Sequence, residues 1–224
     1  CIRDRSKGGA YSDEWELKFT DPKTIEAVEW LKKVTDEKEG YSYVGNDMAM
    51  EFSTGRAAAT VLSTGDLSGI TENAKFDLGT AFLPNPNGDG ACPTGGAGLA
   101  IPAGIDKNRQ IAAIKFIDFV TNDQNTAYWS QNVGYMPVRK TAMELDEQKK
   151  FMKENPNFKT AIEQLPDTRP QDYARVFLPG ADQEIGGAFE KIVTNRDDVK
   201  KTLTDLEKTL QSIYDNQVKP VIKK

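Results

Sequence analysis

The sequence predicts an α/β protein whose second half is almost entirely helical. Two patterns carry that expectation. Up to residue 120, short apolar runs of strand length alternate with segments of helical period, the pattern of layered α/β folds. From Asp123 onward the helical reading continues, broken only where glycine and proline cluster. With 224 residues, 38% of them hydrophobic and 28% charged, the chain is long enough for one large domain or two smaller ones with a real core.

Residues 1–20 show no clear period. Asp21 followed by Pro22 supplies an N-cap and a first-turn proline, and Ile25, Val28, Leu31 and Val34 recur at helical spacing, so 22–38 reads as an amphipathic helix ending at Gly40. Residues 47–54 form a short helix with Met48 and Phe52 on one face and Gly55 as its stop. A strand is expected at 57–63, apolar without interruption as a strand covered on both faces would be. Ser63-Thr64-Gly65 ends it, and Asp66 or Ser68 opens a helical turn toward Ala74. A second strand at 78–83 precedes 84–93, a run of proline, glycine, asparagine and aspartate that marks a long connection and a candidate crossing between lobes.

Gly95-Gly96-Ala97-Gly98 leads into a third strand at 99–101, and Asp106 precedes a helix with Ile111, Ile114, Ile117 and Val120 inward. Helical breaks come at 134–137, 155–156 and 166–170. Near the C-terminus Val199, Leu203, Leu206, Leu210 and Ile213 mark a long amphipathic helix. Two heptads are too few for a coiled coil, which needs about 3–4, so this helix should pack within its own domain.

A net charge of −5 opposes binding to nucleic acid, whose recognition needs a basic face, and no apolar run approaches the ~20 residues that cross a bilayer. The chain has no histidine, so the usual general base near neutral pH and the commonest metal ligand are both missing. Catalytic triads and zinc sites are excluded on that ground, and neither a metal nor a cofactor is expected. Cys1 and Cys92 permit one intrachain disulfide, although spacing alone does not show that they meet. The residues after Cys1 do not resemble the polar tether of a lipidated protein; a truncated chain that happens to start at cysteine is the simpler reading.

Each candidate for chemistry has a plain structural alternative. Tyr135 comes after a helix that Gly134 stops, and Pro137 prevents the helix from resuming, so a phenol stands at a defined exit point facing either a cleft or a packed corner. At Ser63 and Thr64, hydroxyls and N–H groups at a helical start can hold an anion or a sugar hydroxyl, or serve as an ordinary N-cap. Gly95-Gly96-Ala97-Gly98 allows close backbone approach or hinge bending, but it lacks the lysine of a P-loop and the dinucleotide fingerprint. Arg175, amid apolar residues after a proline-rich loop, offers a planar fork to phosphate or carboxylate; the alternative is a surface pair with Asp172. Asp197 and Asp198 open a helix and read as caps.

In order, Phe52-Ser53-Thr54-Gly55-Arg56-Ala57-Ala58-Ala59, Ser63-Thr64-Gly65, Phe82-Leu83-Pro84, Gly95-Gly96-Ala97-Gly98-Leu99, Ala113-Ile114-Lys115-Phe116-Ile117 and Gly134-Tyr135-Met136-Pro137-Val138 resemble the C-terminal half of a family 1 extracellular solute-binding protein. Tyr43-Val44-Gly45, the Ser-Thr-Gly turn, the double glycine, the Gly-Tyr-Met-Pro bend and Arg175 resemble most closely the glycerol-3-phosphate-binding members that serve ABC importers. The resemblance covers nearly the whole chain. It implies the C-terminal part of a two-lobed periplasmic-binding-protein-like fold of class II type, with a helix-rich C-terminal lobe. By that pattern 1–83 begins the C-terminal lobe, 84–98 is the crossing and hinge, 99–120 visits the N-terminal lobe, and 121–224 returns.

The resemblance further implies a binding function without catalysis. Glycerol 3-phosphate or a glycerophosphodiester would be captured in a cleft between lobes and delivered to the transmembrane permease subunits of an ABC importer, in the periplasm or outside the cell on a membrane tether. The alternative is a sugar or oligosaccharide on the same fold, and a sugar-phosphate hydrolase is a remote third reading. Tyr135 and Arg175 match phosphate-binding positions, Gly96 matches a lining glycine, and Ser63 and Thr64 occupy the matching turn. Asp66 departs from the family, since a carboxylate beside a phosphate repels it unless it points away as a cap. The chain starts at the middle of the family pattern, so it reads as a fragment lacking most of the N-terminal lobe, and 99–119 should lack its sheet neighbours. A monomer is expected.

Overall fold

The computed structural model describes residues 7–45, 47–84 and 92–222. It divides into two compact units. The first takes the described residues of 1–44, 83–95 and 166–224, and the second those of 45–82 and 96–165.

In chain order, β1 (Ser12–Asp13) and β2 (Glu16–Leu17) form an antiparallel hairpin in which Ser12 faces Leu17. Helix α1 (Pro22–Val34) starts on Asp21, whose carboxylate accepts the Lys23 N–H. Helix α2 (Met48–Ser53) starts on Asp47 in the same way, and Gly55 turns the chain out of it at φ 78°. A 3-10 turn at Thr64–Asp66 feeds α3 (Leu67–Asn73). Strand β3 (Cys92–Pro93) pairs in parallel with β4 (Thr168–Arg169), and between them lie α4 (Lys107–Val120), α5 (Asp123–Val133), α6 (Asp146–Glu154) and the short α7 (Thr160–Glu163). After β4 come α8 (Tyr173–Val176), α9 (Ala181–Thr194), α10 (Val199–Ile213), a π turn at Tyr214–Val218 and α11 (Lys219–Ile222). Asp106, Asn122 and Asp198 cap α4, α5 and α10 by accepting backbone N–H groups, each cap contributing about 1 kcal/mol.

The core of the first unit is the seam between α9 and α10. Ile185, Ala188 and Ile192 meet Val199, Leu203, Leu206 and Leu210, and Tyr11, Phe19 and Val28 close the cluster. The spacing that predicted an amphipathic helix thus packs against its own unit. Tyr11 stacks on Phe19 at 5.0 Å, and Trp15 at the hairpin tip meets Tyr173 and Tyr214. Two bonds fasten the hairpin to α8. The buried Asp172 carboxylate accepts the Tyr11 N–H at 2.8 Å, and Ser12 Oγ accepts the Ala174 N–H at 3.0 Å. The second unit buries Ile70, Ala127, Ala142, Met152 and Phe158, with Phe151 edge-on to Phe158 at 5.0 Å.

Several expectations need correction. Helix α1 ends at Val34, where Thr35 turns its hydroxyl back onto the Leu31 carbonyl. Residues 57–63, 78–83 and 99–101 are not strands. A strand exists by its ladder, and none of these segments finds a pairing partner among the described residues. Helix α4 has the expected bounds but not the expected inward face, since Ile111 and Ile114 are exposed and none of its residues is buried. Ile111, Ile114, Phe116 and Phe119 point to several sides of the helix, and a helix apolar on several sides needs cover on each. Cys92 is free with a half-buried thiol, while Cys1 and residues 85–91 of the expected crossing lie outside the described residues. Among the described residues no helix is long and apolar enough to cross a membrane.

Candidate functional site

Ser63, Thr64 and Tyr135 come together in the second unit. Ser63 is the N-cap of the 3-10 turn, its Oγ accepting the Gly65 N–H at 3.2 Å, and Asp66, one of the two expected openers, stands at the N-cap position of α3. That bond occupies the hydroxyl as an acceptor and leaves its proton to donate. Asp66 makes no capping bond through its side chain.

The partner segment is the exit of α5. Gly134 adopts φ 108°, and its N–H donates to the Ser130 carbonyl at 2.9 Å, as expected for a left-handed helix stop. Its Cα presses on the other segment, because a Cβ there would overlap the Thr64 carbonyl oxygen. The bend after it is tied back to α5 by the Val138 N–H donating to the buried Thr126 Oγ1 at 2.9 Å. Arg139 donates to the Thr121 carbonyl and to Asp118. Tyr135 thereby projects from a backbone held on both sides. Its ring lies over Gly65, is 42% exposed, and its hydroxyl has no hydrogen-bond partner among the described residues.

Arg175 belongs to the first unit, on α8. Its Nε donates to Asp182 Oδ1 at 2.6 Å and its Nη1 to Gln171 Oε1 at 2.8 Å. The expected pairing with Asp172 is therefore wrong. Asp172 is turned inward to the Tyr11 N–H, and Asp182, at the start of α9, takes the guanidinium. Gln171 Nε2 in turn donates to the Thr94 carbonyl at 2.8 Å, and β3–β4 pairing continues with the Thr94 N–H on the Arg169 carbonyl. Arg175 is thus one glutamine away from the backbone that enters the double glycine. A Cβ on Gly96 would meet nothing within 4 Å, so packing does not require a glycine there.

Arg175 and Asp182 are 37% and 62% exposed, and exposed pairs of this kind contribute about 0–1 kcal/mol. An anion offering two oxygens can compete for such a fork at little cost. Sequence reasoning missed Gln171 and Asp182, because Gln171 precedes α8 and Asp182 opens α9, so no single helical period links either of them to Arg175. It also missed the contact of Gly65 with Tyr135, which no local pattern encodes. A groove of about 310 Å³ between α9 and α10, lined by Glu184, Lys191, Asp197, Lys201 and Asp205, contains none of these residues.

Residues 5–160 match the model of a bacterial extracellular solute-binding protein family. The sn-glycerol-3-phosphate-binding periplasmic protein UgpB of Escherichia coli strain K12 is 32% identical over 165 residues, 71% of this chain and 37% of that protein. The crystal structure of UgpB from Mycobacterium tuberculosis in complex with glycerophosphocholine superposes with a TM-score of 0.92 at 50% identity, covering 97% of this chain and 55% of that one. The maltose-maltodextrin binding protein of Alicyclobacillus acidocaldarius shares the fold at 17% identity with a TM-score of 0.70, covering 94% of this chain and 58% of its own. The chain therefore spans little more than half the length of the solved relatives it matches. Its fold is that of the periplasmic binding proteins, and the chain belongs to the family of bacterial extracellular solute-binding proteins.

Proposed function

We propose that this protein is the solute-binding component of an ABC importer and takes a glycerophosphodiester or glycerol 3-phosphate. The observation that carries the reading is the 50% identity, over 97% of this chain, to a UgpB whose crystal structure holds glycerophosphocholine. The geometry supports it. A phosphodiester presents oxygens that accept hydrogen bonds, and the chain offers donors with capacity to spare in the Ser63 hydroxyl, the Tyr135 phenol and the Arg175 fork. Gly96 leaves open space for a ligand to approach the backbone, and Thr64 completes the turn.

In this role the protein binds without catalysing a reaction, meets its solute in the periplasm or outside the cell on a tether, and hands it to the permease subunits. Residues 84–98 act as the crossing, and 99–120 belong with the N-terminal lobe, a placement supported by the exposed apolar residues of α4. Isothermal titration of the purified protein with glycerophosphocholine, glycerol 3-phosphate and maltose tests the proposal. Binding of either phosphate ester that falls by about 10-fold or more in Arg175→Ala, as loss of a charged hydrogen bond implies, supports it. Maltose binding that no phosphate ester competes for, or an Arg175→Ala variant with unchanged affinity, refutes it.

A further inference from the structure

We infer that Gly65 is a positioning residue: it is a glycine in order to seat the hydroxyl end of Tyr135, and so sets where that phenol meets the solute. The inference rests on the reading of the site under Proposed function.

A glycine is usually required by a backbone conformation that other residues avoid. Gly65 is not, because it is absent from the glycines with positive φ and lies inside the helical turn Thr64–Asp66. In a helical turn alanine is favoured over glycine by about 1 kcal/mol, so the backbone alone selects against this residue. The space above its Cα explains it. A Cβ at position 65 would lie 2.6 Å from Cζ, 2.8 Å from Oη and 2.9 Å from Cε2 of Tyr135. The contact falls on the tip of the ring, the end that carries the donor.

The ring cannot escape by moving its backbone. Gly134 is lodged against the Thr64 carbonyl, and the Val138 N–H is held by Thr126. It can swing outward, since it is 42% exposed. A methyl group at 65 therefore leaves the fold intact and pushes the hydroxyl off its position by about 1 Å, the difference between these distances and van der Waals contact. A donor misplaced by that much loses most of its hydrogen bond to a phosphate oxygen. The Ser63-Thr64-Gly65 turn and Tyr135 thus act as one unit: the turn supplies a donor and also the seat for the phenol.

The test is a double-mutant cycle with glycerophosphocholine as the probe, measured by isothermal titration beside thermal melts. Gly65→Ala should leave the melting temperature unchanged or higher while weakening binding by about 10–100-fold, the worth of a hydrogen bond to a charged group. In a Tyr135→Ala background the same substitution should change affinity less than about 2-fold, because the ring it displaces is gone. An equal loss in both backgrounds, or full affinity in Gly65→Ala alongside weakened binding in Tyr135→Phe, overturns the inference and leaves the proposed function standing. Failure of the unaltered protein to bind the probe refutes the function instead. The seat then remains testable through the resonance of 3-fluorotyrosine at position 135, which Gly65→Ala should shift and which an unseated ring would leave unmoved. If Gly65→Ala does not fold, recovery of the fold in the double variant with Tyr135→Ala supports the ring contact, and no recovery overturns it.

Discussion

Gly134→Ala is the substitution that most directly tests how the two segments of the second unit are joined. At φ 108° an L side chain meets the steric penalty of a left-handed backbone, about 1–2 kcal/mol for alanine. The new methyl carbon also has no room, since it would overlap the Thr64 carbonyl oxygen and stand 2.9 Å from Leu67 Cβ. Restoring contact distance moves the segments apart by about 1 Å, an overpacking that costs about 1–3 kcal/mol in a tight site. Together these predict a loss of about 2–5 kcal/mol. Urea titration followed by circular dichroism should show the midpoint falling by about 1–2.5 M for an m-value near 2 kcal/mol per M. Gly134→Asn separates the two causes, because asparagine tolerates the left-handed region but still carries a Cβ. It should recover the backbone part and remain about 1 kcal/mol or more below the unaltered protein. A Gly134→Ala protein within about 0.5 kcal/mol of the original would refute the packing argument, and full recovery in Gly134→Asn would show that backbone strain acts alone.

Three further outcomes are expected. Leu203, wholly buried between α9 and α10, should cost about 2–5 kcal/mol on change to alanine, read by chemical denaturation, whereas the exposed Ile114 of α4 should cost far less in the same assay. Asp182→Asn should release the Arg175 fork from its carboxylate and tighten binding of glycerophosphocholine, measured by titration at low ionic strength; weaker binding would mean that Asp182 orients the fork. Backbone N–H groups of Lys38 and Glu39 hold the Asp36 carboxyl below its ordinary range, and ion pairs with Lys149 and Lys201 do the same for Glu144 and Asp205. A depressed carboxylate contributes stability above its unfolded pKa and loses it as pH falls through the folded value, so melting temperature should decline on the acid side of the carboxylate range. All three are solvent-exposed, and salt should flatten the part of the slope due to Glu144 and Asp205.

The helices were legible because their signals are local. Asp21, Asp47, Asp106 and Asp198 each cap the helix that comes next, and the 199–213 spacing placed Val199, Leu203, Leu206 and Leu210 in the core. The stop at Gly134 was equally readable, since a glycine before a Tyr-Met-Pro bend has few other uses. Strands at 57–63, 78–83 and 99–101 were misread because apolar runs record a preference for cover, and a strand also needs a neighbour that local sequence does not identify. The inward face of α4 failed for the same reason: periodicity marks which residues want burial, and only a partner buries them.

The candidate site divides along the same line. Sequence by itself determined which donors are on offer, with no histidine, two hydroxyls in a helical turn, a phenol past a helix stop and a single arginine in an apolar segment. Tertiary structure decided which of these groups are committed. It turned Asp172 inward to the Tyr11 N–H, gave Arg175 to Asp182 and Gln171, and laid the tip of Tyr135 on Gly65, seventy residues away in the chain. Residue type and spacing set what a group can donate or accept. What it meets depends on contacts between segments far apart in sequence, and those are fixed only when the segments pack.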